Sequence, residues 1–333
     1  MNKFDKLNNP ELIKHRDDWL EKLNALFSCQ LSSAHRPLFL NGIAKYTEEF
    51  NFNWGNWLET SLTELADDSD KAMDNSAFRP LCINFNPHGV HFIDFLFGAE
   101  VFQLEDNSWQ VRTLDSPIGY LQKPELDNLP AWQLMKDFAD KFLNYNLETV
   151  TFGLPTIASA LNIAVNLYGQ EILVEMITNP EAAKHDFQVI SDALCEIHKW
   201  YIEYIPAKIL QCIIPHERHL PVGYGQLCGC TTQLISAQQY SDSIAEYDNE
   251  LLSLYPNGGM LHLCGTHSQH IPAWREMKKL RAVQINDTAA EDLELYFEGL
   301  RDDQIIYVNV CETMTVKKIL EITNGKRVVI IQN

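Results

Sequence analysis

Apolar and polar residues recur along the chain with two periods, about 3.6 and 2 residues, which are typical of helices and strands respectively. The segment from Pro10 to Phe27 has the helical period, with Asn9 placed to cap it and Pro10 at the first helical position. We therefore expect an amphipathic opening helix. Further helical patterns are predicted at Ile157 to Leu167, Pro180 to Ile205, Ala237 to Leu254, Ile271 to Leu280, Asp292 to Leu300 and Thr315 to Ile322.

Short apolar runs separate these helices and are predicted to be strands. They are Leu38 to Asn41, Leu81 to Phe85, Val150 to Phe152, Lys208 to Ile214, Met260 to Cys264, Ala282 to Asn286, Ile305 to Val310 and Arg327 to Gln332. The later runs are almost continuously apolar, as parallel strands covered on both faces are. This alternation predicts an α/β fold, a (β/α)8 TIM barrel with an N-terminal helical extension. The runs Ala99 to Leu104 and Trp109 to Leu114, joined by a polar turn, predict a β-hairpin insertion.

The number of domains and the cellular location are predicted from features that the sequence does not contain. The 333 residues contain no repeat with a period of 20 to 50 residues and no long Pro/Gly/Ser linker, so residues 1–333 are expected to form one domain. The charged N-terminus has no signal-peptide pattern, and no apolar run approaches the roughly 20 residues that span a bilayer. We therefore expect a cytoplasmic protein whose eight cysteines are reduced thiols.

Charge excludes several classes of partner. The chain has 45 acidic and 26 basic residues, a formal net charge of −19, and no basic stripe. Binding to nucleic acid or to an anionic membrane rests on clustered Lys and Arg, so neither is expected as a partner. A small-molecule substrate is expected instead.

The most informative residues for chemistry are His262 and Cys264, which are two apart on a predicted strand. Residues at that spacing point to the same face, so the imidazole and the thiol are presented together, and Gly265 then allows a sharp turn. Zinc takes both ligand types, which predicts a metal site. The alternative is that the cysteine is a small buried apolar residue and the histidine bonds a backbone carbonyl.

Other thiols are candidates for the third metal ligand, and the sequence leaves the choice open. Cys311 ends a strand two places along the predicted barrel, about 10 Å from the strand of His262. Cys228 and Cys230 are predicted to lie in a loop after the fourth strand. Three protein ligands and one open position are typical of catalytic zinc sites.

Further polar residues are expected near the carboxyl ends of the strands, where barrel enzymes carry their active sites. We predict catalytic roles for Asp287 and Glu312, as groups that orient ligands or handle a proton. The candidate substrate-binding residues are His88, Asp94, Glu217 and Tyr224. Glu217 belongs to the segment His216 to His219, which is predicted to be a solvated or substrate-facing loop because Pro215 and Pro221 flank it. Asp94 is an acid among aromatic residues, and either burial or the exposed face of a short helix explains it.

The segment from Met260 to Asp287, with its strand ending in His-x-Cys-Gly, resembles the signature of the uroporphyrinogen decarboxylase superfamily. Gly153 to Leu161 and Ile177 to Glu181 are similar to its strand-end and helix-start segments, and Phe97 to Val101 is similar to a segment of its corrinoid-linked branches. The similarity covers most of the chain in order, and only the His-x-Cys-Gly block is specific.

The resemblance implies one of two chemistries. The true decarboxylases are metal-free and grip a polyanionic porphyrinogen with an Arg-rich N-terminal block, whereas only Arg36 lies near Pro37 here and the chain is strongly acidic. The other branch, zinc-dependent methyltransferases acting between a corrinoid and a thiol, would use His262 and Cys264 as ligands. In that branch a further cysteine ends the last strand; here that strand ends in Asn333, so Cys311, Cys228 or Cys230 would have to replace it.

The sequence therefore predicts a zinc-dependent methyl or alkyl transferase, with a small-molecule thiol or methyl donor, a corrinoid protein and a second copy of the chain as expected partners. Two alternatives remain. One is a decarboxylase-like carboxy-lyase that acts on a small or tetrapyrrole acid. The other is a non-catalytic barrel that binds a corrinoid or a corrinoid protein, with its acidic surface docking to a basic partner.

Overall fold

The computed structural model describes residues 4–33, 36–50, 52–211 and 214–332. Its strands are β1 (Leu38–Leu40), β2 (Ile43–Thr47), β3 (Leu81–Phe85), β4 (Val101–Gln103), β5 (Trp109–Val111), β6 (Val150–Gly153), β7 (Leu210–Gln211), β8 (Gly225–Cys228), β9 (Gly259–Cys264), β10 (Leu280–Asn286), β11 (Ile305–Asn309) and β12 (Val328–Ile331). Its helices are α1 (Pro10–Phe27), α2 (Trp54–Asp67), α3 (Ser69–Ala72), α4 (Phe92–Leu96), α5 (Pro130–Leu143), α6 (Ala160–Tyr168), α7 (Glu171–Thr178), α8 (Pro180–Tyr204), α9 (Pro215–Arg218), α10 (Ala237–Ser243), α11 (Ala245–Ser253), α12 (Ile271–Glu276), α13 (Leu293–Gly299) and α14 (Val316–Thr323).

The strands form two parallel sheets and one antiparallel hairpin. The larger sheet has the order β1-β12-β11-β10-β9-β8, the smaller has the order β2-β3-β6-β7, and β4 pairs with β5. The segment from Leu38 to Thr47 joins the sheets, because β1 pairs with β12 and β2 pairs with β3. On the other side, Ala158, which follows β6, forms an isolated bridge with Cys228, the last residue of β8. The mixed α/β fold with parallel strands is confirmed, whereas within the described ranges β7 and β8 do not pair, so a closed eight-stranded ring is not shown.

Alternate residues of the strands face two different cores. Leu261 and Leu263 of β9 pack in the larger cluster, which also includes most of the surrounding helices, whereas Met260 lies in a second cluster inside the curved sheet. That inner cluster is apolar near the amino ends of the strands, where Trp19 and Phe27 of α1 cover it. Above it the buried inner residues become polar: Gln226, His262, Gln284 and Asn309. The fold therefore offers polar chemistry at the carboxyl ends of the strands.

The outer helices follow their predicted patterns. Helix α1 spans the predicted residues, and the Asn9 side chain accepts a hydrogen bond from the Glu11 amide at 2.8 Å, as a capping residue does. Helix α8 is the longest and begins with Pro180 at its first position. The hairpin is confirmed with shorter strands. In the ranges that the structure describes, no helix combines the length and apolar character needed to cross a bilayer.

The strands β2 and β8 were not expected from the sequence, and Cys228 ends β8 rather than lying in a loop. The segment from His216 to His219, predicted to be a solvated or substrate-facing loop, contains most of the short helix α9, and its residues His216 and Glu217 are partly exposed. Arg218 is 5% exposed, and His219 is 1% exposed.

Helix α9 lies inside the curved sheet because two glycines leave room for it. A side chain at Gly42 would collide with the backbone of His216, and one at Gly153 would contact Pro215. The Tyr307 hydroxyl of β11 donates to the His219 carbonyl at 2.7 Å, across the interior. Residues Pro215 to His219, between β7 and β8, therefore lie inside the curved sheet. They bring Arg218 next to the buried polar residue His262.

Candidate metal centre

Cys230, His262 and Cys264 form a compact group whose donor atoms all lie within 4.8 Å of one another. The sulfur of Cys264 is 3.1 Å from Nε2 of His262, since the two residues are two apart on β9 and share its inner face. Cys230 begins a 3-10 helix, Cys230–Leu234, directly after β8. Its sulfur lies 4.0 Å from the His262 carbonyl oxygen. Two adjacent parallel strands therefore bring two thiols and one imidazole together.

The neighbouring strand β10 fixes the orientation and the tautomer of His262. Gln284 is the register partner of His262, and its Oε1 lies 2.5 Å from Nδ1. The Gln284 amide nitrogen donates to Oδ1 of Asn309 at 2.6 Å, which identifies Oε1 as the oxygen that faces the histidine. Because that oxygen only accepts, Nδ1 carries the hydrogen and the lone pair of Nε2 points toward the thiols.

Hydrogen bonding within the group favours a thiolate on Cys264. The hydrogen bond from the Cys230 thiol and the charge of Arg218 lower the pKa of Cys264 against the opposing effect of burial. The same shared proton raises the pKa of Cys230. Burial, together with the charge of Cys264, raises the pKa of the nearby Asp287 carboxyl. The centre therefore attracts cations.

The turn after β9 is held rigidly. Gly265 has φ +91°, and a side chain there would collide with the Gln233 amide. The His267 ring bonds the Cys264 carbonyl through Nε2 at 2.7 Å and the Thr232 hydroxyl through Nδ1 at 2.9 Å. These contacts fix the backbone that presents Cys264.

Arg218 is the buried cation of the centre. One terminal nitrogen of its guanidinium lies 3.2 Å from Nε2 of His262, and the other lies 3.7 Å from the sulfur of Cys228. Its Nε has no hydrogen-bond partner within the described part of the chain. The sequence gives no sign of this role for Arg218, because the flanking prolines, Pro215 and Pro221, indicate a loop.

The other predicted metal ligands lie outside the group of three. Cys228 is the register partner of His262, yet its buried sulfur faces Arg218. Cys311 follows the end of β11, and its sulfur contacts the Thr313 hydroxyl at 3.3 Å. Glu312 is exposed beside it. Of the two predicted catalytic acids, only Asp287 lies next to the thiols.

His88 and Asp94 lie close together after β3. The His88 ring stacks on Phe50 and lies tilted against Phe95, with ring centroids 4.6 and 4.5 Å away. The Asp94 carboxylate is fully buried and contacts His91 and Asn166, so the buried alternative for this residue is the correct one. Burial lowers the pKa of His88 to about 4 and raises that of Asp94, so the imidazole is neutral at pH 7.

The remaining predicted residues lie at opposite ends of the fold. Glu217 is on α9, where its carboxylate accepts a hydrogen bond from Asn309 at 3.5 Å, one step from Gln284. Tyr224 precedes β8 at the amino ends of the strands and packs against Phe27 of α1. The structure therefore brings Glu217 toward the metal-ligand candidates and separates Tyr224 from them.

The donor set fits a soft or borderline divalent ion. In a tetrahedral site with zinc bond lengths of about 2.3 Å to sulfur and about 2.0 Å to nitrogen, donor atoms lie about 3.5 to 3.8 Å apart. The observed separations, 3.1 Å for one pair and within 4.8 Å for all, require only small side-chain adjustments. Two cysteines and one histidine leave a fourth position open, as in catalytic zinc sites.

Comparison with known proteins finds a similar fold among solved structures, and no match in sequence. No protein-family model matches the chain, and no curated protein matches it in sequence. The solved structure of a methyltransferase from Methanosarcina mazei is similar to this chain with a TM-score of 0.65. The match covers 93% of this chain and 91% of that chain at 10% sequence identity. The two proteins share a fold, and the resemblance to the uroporphyrinogen decarboxylase superfamily remains a resemblance.

Proposed function

We propose that the protein is a metal-dependent methyl or alkyl transferase with a thiol acceptor and a corrinoid or other methylated compound as the donor. One observation carries the proposal: the sulfurs of Cys230 and Cys264 converge with the Nε2 lone pair of His262, while Gln284 holds Nδ1. This group lies at the carboxyl ends of parallel strands, which is where barrel enzymes have their active sites. The shared fold with a methyltransferase supports the same class of reaction.

Zinc at this centre would lower the pKa of an acceptor thiol, and so supply a strong nucleophile at neutral pH. The protein's own residues prepare the centre. Gln284 keeps Nε2 of His262 unprotonated, and the turn at Gly265 holds the Cys264 backbone in place. Both thiols must lose their protons to act as ligands.

The transfer requires one proton acceptor and one leaving group. We propose that the Asp287 carboxylate accepts the proton of the acceptor thiol, since it lies beside Cys264. The acceptor sulfur then attacks the methyl carbon in line. A sulfur–carbon bond forms while the donor–carbon bond breaks, and the electron pair stays with the donor. His88 and Asp94, after β3, remain proposed substrate contacts.

The test is methyl transfer from methylcobalamin to a panel of thiols by the zinc-loaded protein. We expect S-methyl product with wild type and none with Cys264→Ser. Cys311→Ser is the matched control, because its sulfur contacts Thr313 rather than His262, and it should keep wild-type activity.

The same assay separates the alternatives. Binding of methylcobalamin without product would support the non-catalytic barrel, and carbon dioxide released from an added acid would support the carboxy-lyase. Turnover that survives both metal removal and Cys264→Ser would contradict the proposal. A corrinoid protein as donor carrier and a pair of identical chains are proposed partners that size-exclusion chromatography can test.

A further inference from the structure

The guanidinium of Arg218 is an unusual cation for a buried site. Its side chain is on α9, and within the described residues no carboxylate forms an ion pair with it. Burying an ion away from water is unfavourable, and the anion that faces this one is the thiolate favoured on Cys264, whose pKa the charge of Arg218 helps to lower. The contacts that the structure provides are Nε2 of His262 and the sulfur of Cys228.

The contact with His262 uses the lone pair that a metal ion would need. A guanidinium only donates hydrogen bonds, so Nε2 must be the acceptor in the 3.2 Å contact with Arg218. Nδ1 carries its hydrogen toward Gln284, which leaves Nε2 as the one basic nitrogen of the ring. A metal ion and Arg218 therefore cannot both hold this lone pair.

We propose that Arg218 is an internal competitor for the metal site: its guanidinium binds Nε2 of His262 in the metal-free protein and must withdraw when the ion binds. This inference rests on the proposed metal-dependent function. It makes Arg218 a positioning residue that sets how tightly the protein holds its metal.

Charge strengthens the competition. A guanidinium left near a divalent ion repels it through a medium of low effective dielectric constant, in addition to the hydrogen bond that must break. Removing the charge at position 218 should therefore tighten metal binding. We expect an increase in zinc affinity on the order of ten- to a hundredfold.

The experiment is a competition titration of the metal-free protein with Zn²⁺ and a chromophoric chelator, with folding checked by circular dichroism. Arg218→Gln and Arg218→Met are two neutral variants of similar length, and one folded variant is sufficient. Arg16→Gln is the matched control: Arg16 is also buried, yet it bonds the Glu148 carbonyl and the Asp17 carboxylate rather than His262. We expect tighter zinc binding in the Arg218 variants and unchanged binding in the control.

The outcomes distinguish this inference from the proposed function. Unchanged or weaker zinc binding in folded Arg218 variants overturns the inference and leaves the metal-dependent function standing. Zinc binding by the variants but not by wild type supports the inference and overturns metal dependence. Absence of zinc binding in every form contradicts both.

Discussion

Nδ1 of His262 lies 2.5 Å from Oε1 of Gln284, and these residues are register partners on adjacent strands. The bond fixes which ring nitrogen is free, so the orientation of a candidate metal ligand is decided by a residue outside the group of Cys230, His262 and Cys264. Partners of this kind typically change metal affinity by ten- to a hundredfold.

The first prediction concerns Gln284→Ala. Without Oε1 the ring of His262 can rotate or change tautomer, so zinc affinity should fall by about ten- to a hundredfold. Gln226→Ala is the matched control, because Gln226 is also a buried glutamine inside the sheet but its side-chain amide has no hydrogen-bond partner in the described ranges. Equal losses in the two variants would mean that the effect is general destabilisation.

The second prediction separates the two cysteines of the Cys-Gly-Cys segment. Cys230→Ser should abolish stoichiometric zinc binding, since the Cys230 sulfur belongs to the group of three. Cys228→Ser should retain one zinc per chain, because the Cys228 sulfur faces Arg218. Metal analysis after dialysis measures both. If Cys228→Ser loses zinc and Cys230→Ser keeps it, the ligand assignment is wrong.

The sequence could predict two of the three residues of this centre. His262 and Cys264 are recognisable because a spacing of two on an apolar strand ending in glycine puts both on one face. The sequence could not distinguish Cys228 from Cys230 as the third candidate ligand, because the four-residue strand β8 was not expected. Cys311 was a reasonable candidate on strand order, but β11 ends at Asn309 and the following turn directs the Cys311 sulfur to Thr313.

The helices and strands could be predicted better than the residues that fill the inside of the curved sheet. Helix α1 and most strands follow from periodicity, because burial of one face or both imposes it. Helix α9 does not, since its position depends on space left by Gly42 and Gly153, which are distant in sequence. Gln284 gives a usable signal in the sequence, because it is a polar residue within the buried run from Ala282 to Ile285, whose other members are apolar.

The third prediction concerns Gly265→Ala. Gly265 has φ +91°, a conformation that L side chains rarely adopt, so the substitution should lower the free energy of unfolding by about 1 to 3 kcal/mol. Gly98→Ala is the comparison, because Gly98 has φ +85° and open space around it, and the two variants should lose similar stability since the exposed Gln233 side chain beside Gly265 can turn aside. Urea unfolding measures both, and unchanged stability of Gly265→Ala would show that the turn tolerates a side chain.

The fourth prediction is a pH dependence that comes from Asp248. Burial raises the pKa of this carboxyl from 3.8 to about 7, against the stabilising hydrogen bond from Tyr240. The folded state therefore binds the proton more tightly than the unfolded state does, and this contribution to stability is lost as the pH rises from about 4 to about 7. The total change is about 4 kcal/mol.

Asp248→Asn removes that titration and keeps an oxygen to accept from Tyr240. The variant should become more stable relative to wild type as the pH rises through this window, and the difference should level off above about pH 7. Urea unfolding of both proteins at several pH values measures it. A stability difference that does not change with pH would show that Asp248 has an ordinary pKa in the folded protein.

The spectrum of the cobalt(II)-substituted protein tests the central claim most directly, since it reports the number and type of ligands at the proposed centre. Cys230, His262 and Cys264 with one further ligand should give intense tetrahedral d–d bands and a thiolate-to-cobalt charge-transfer band. The charge-transfer band should fall by about half in Cys230→Ser if two thiolates bind the ion. A weak octahedral spectrum without thiolate charge transfer, or one that Cys230→Ser and Cys264→Ser leave unchanged, would contradict the account.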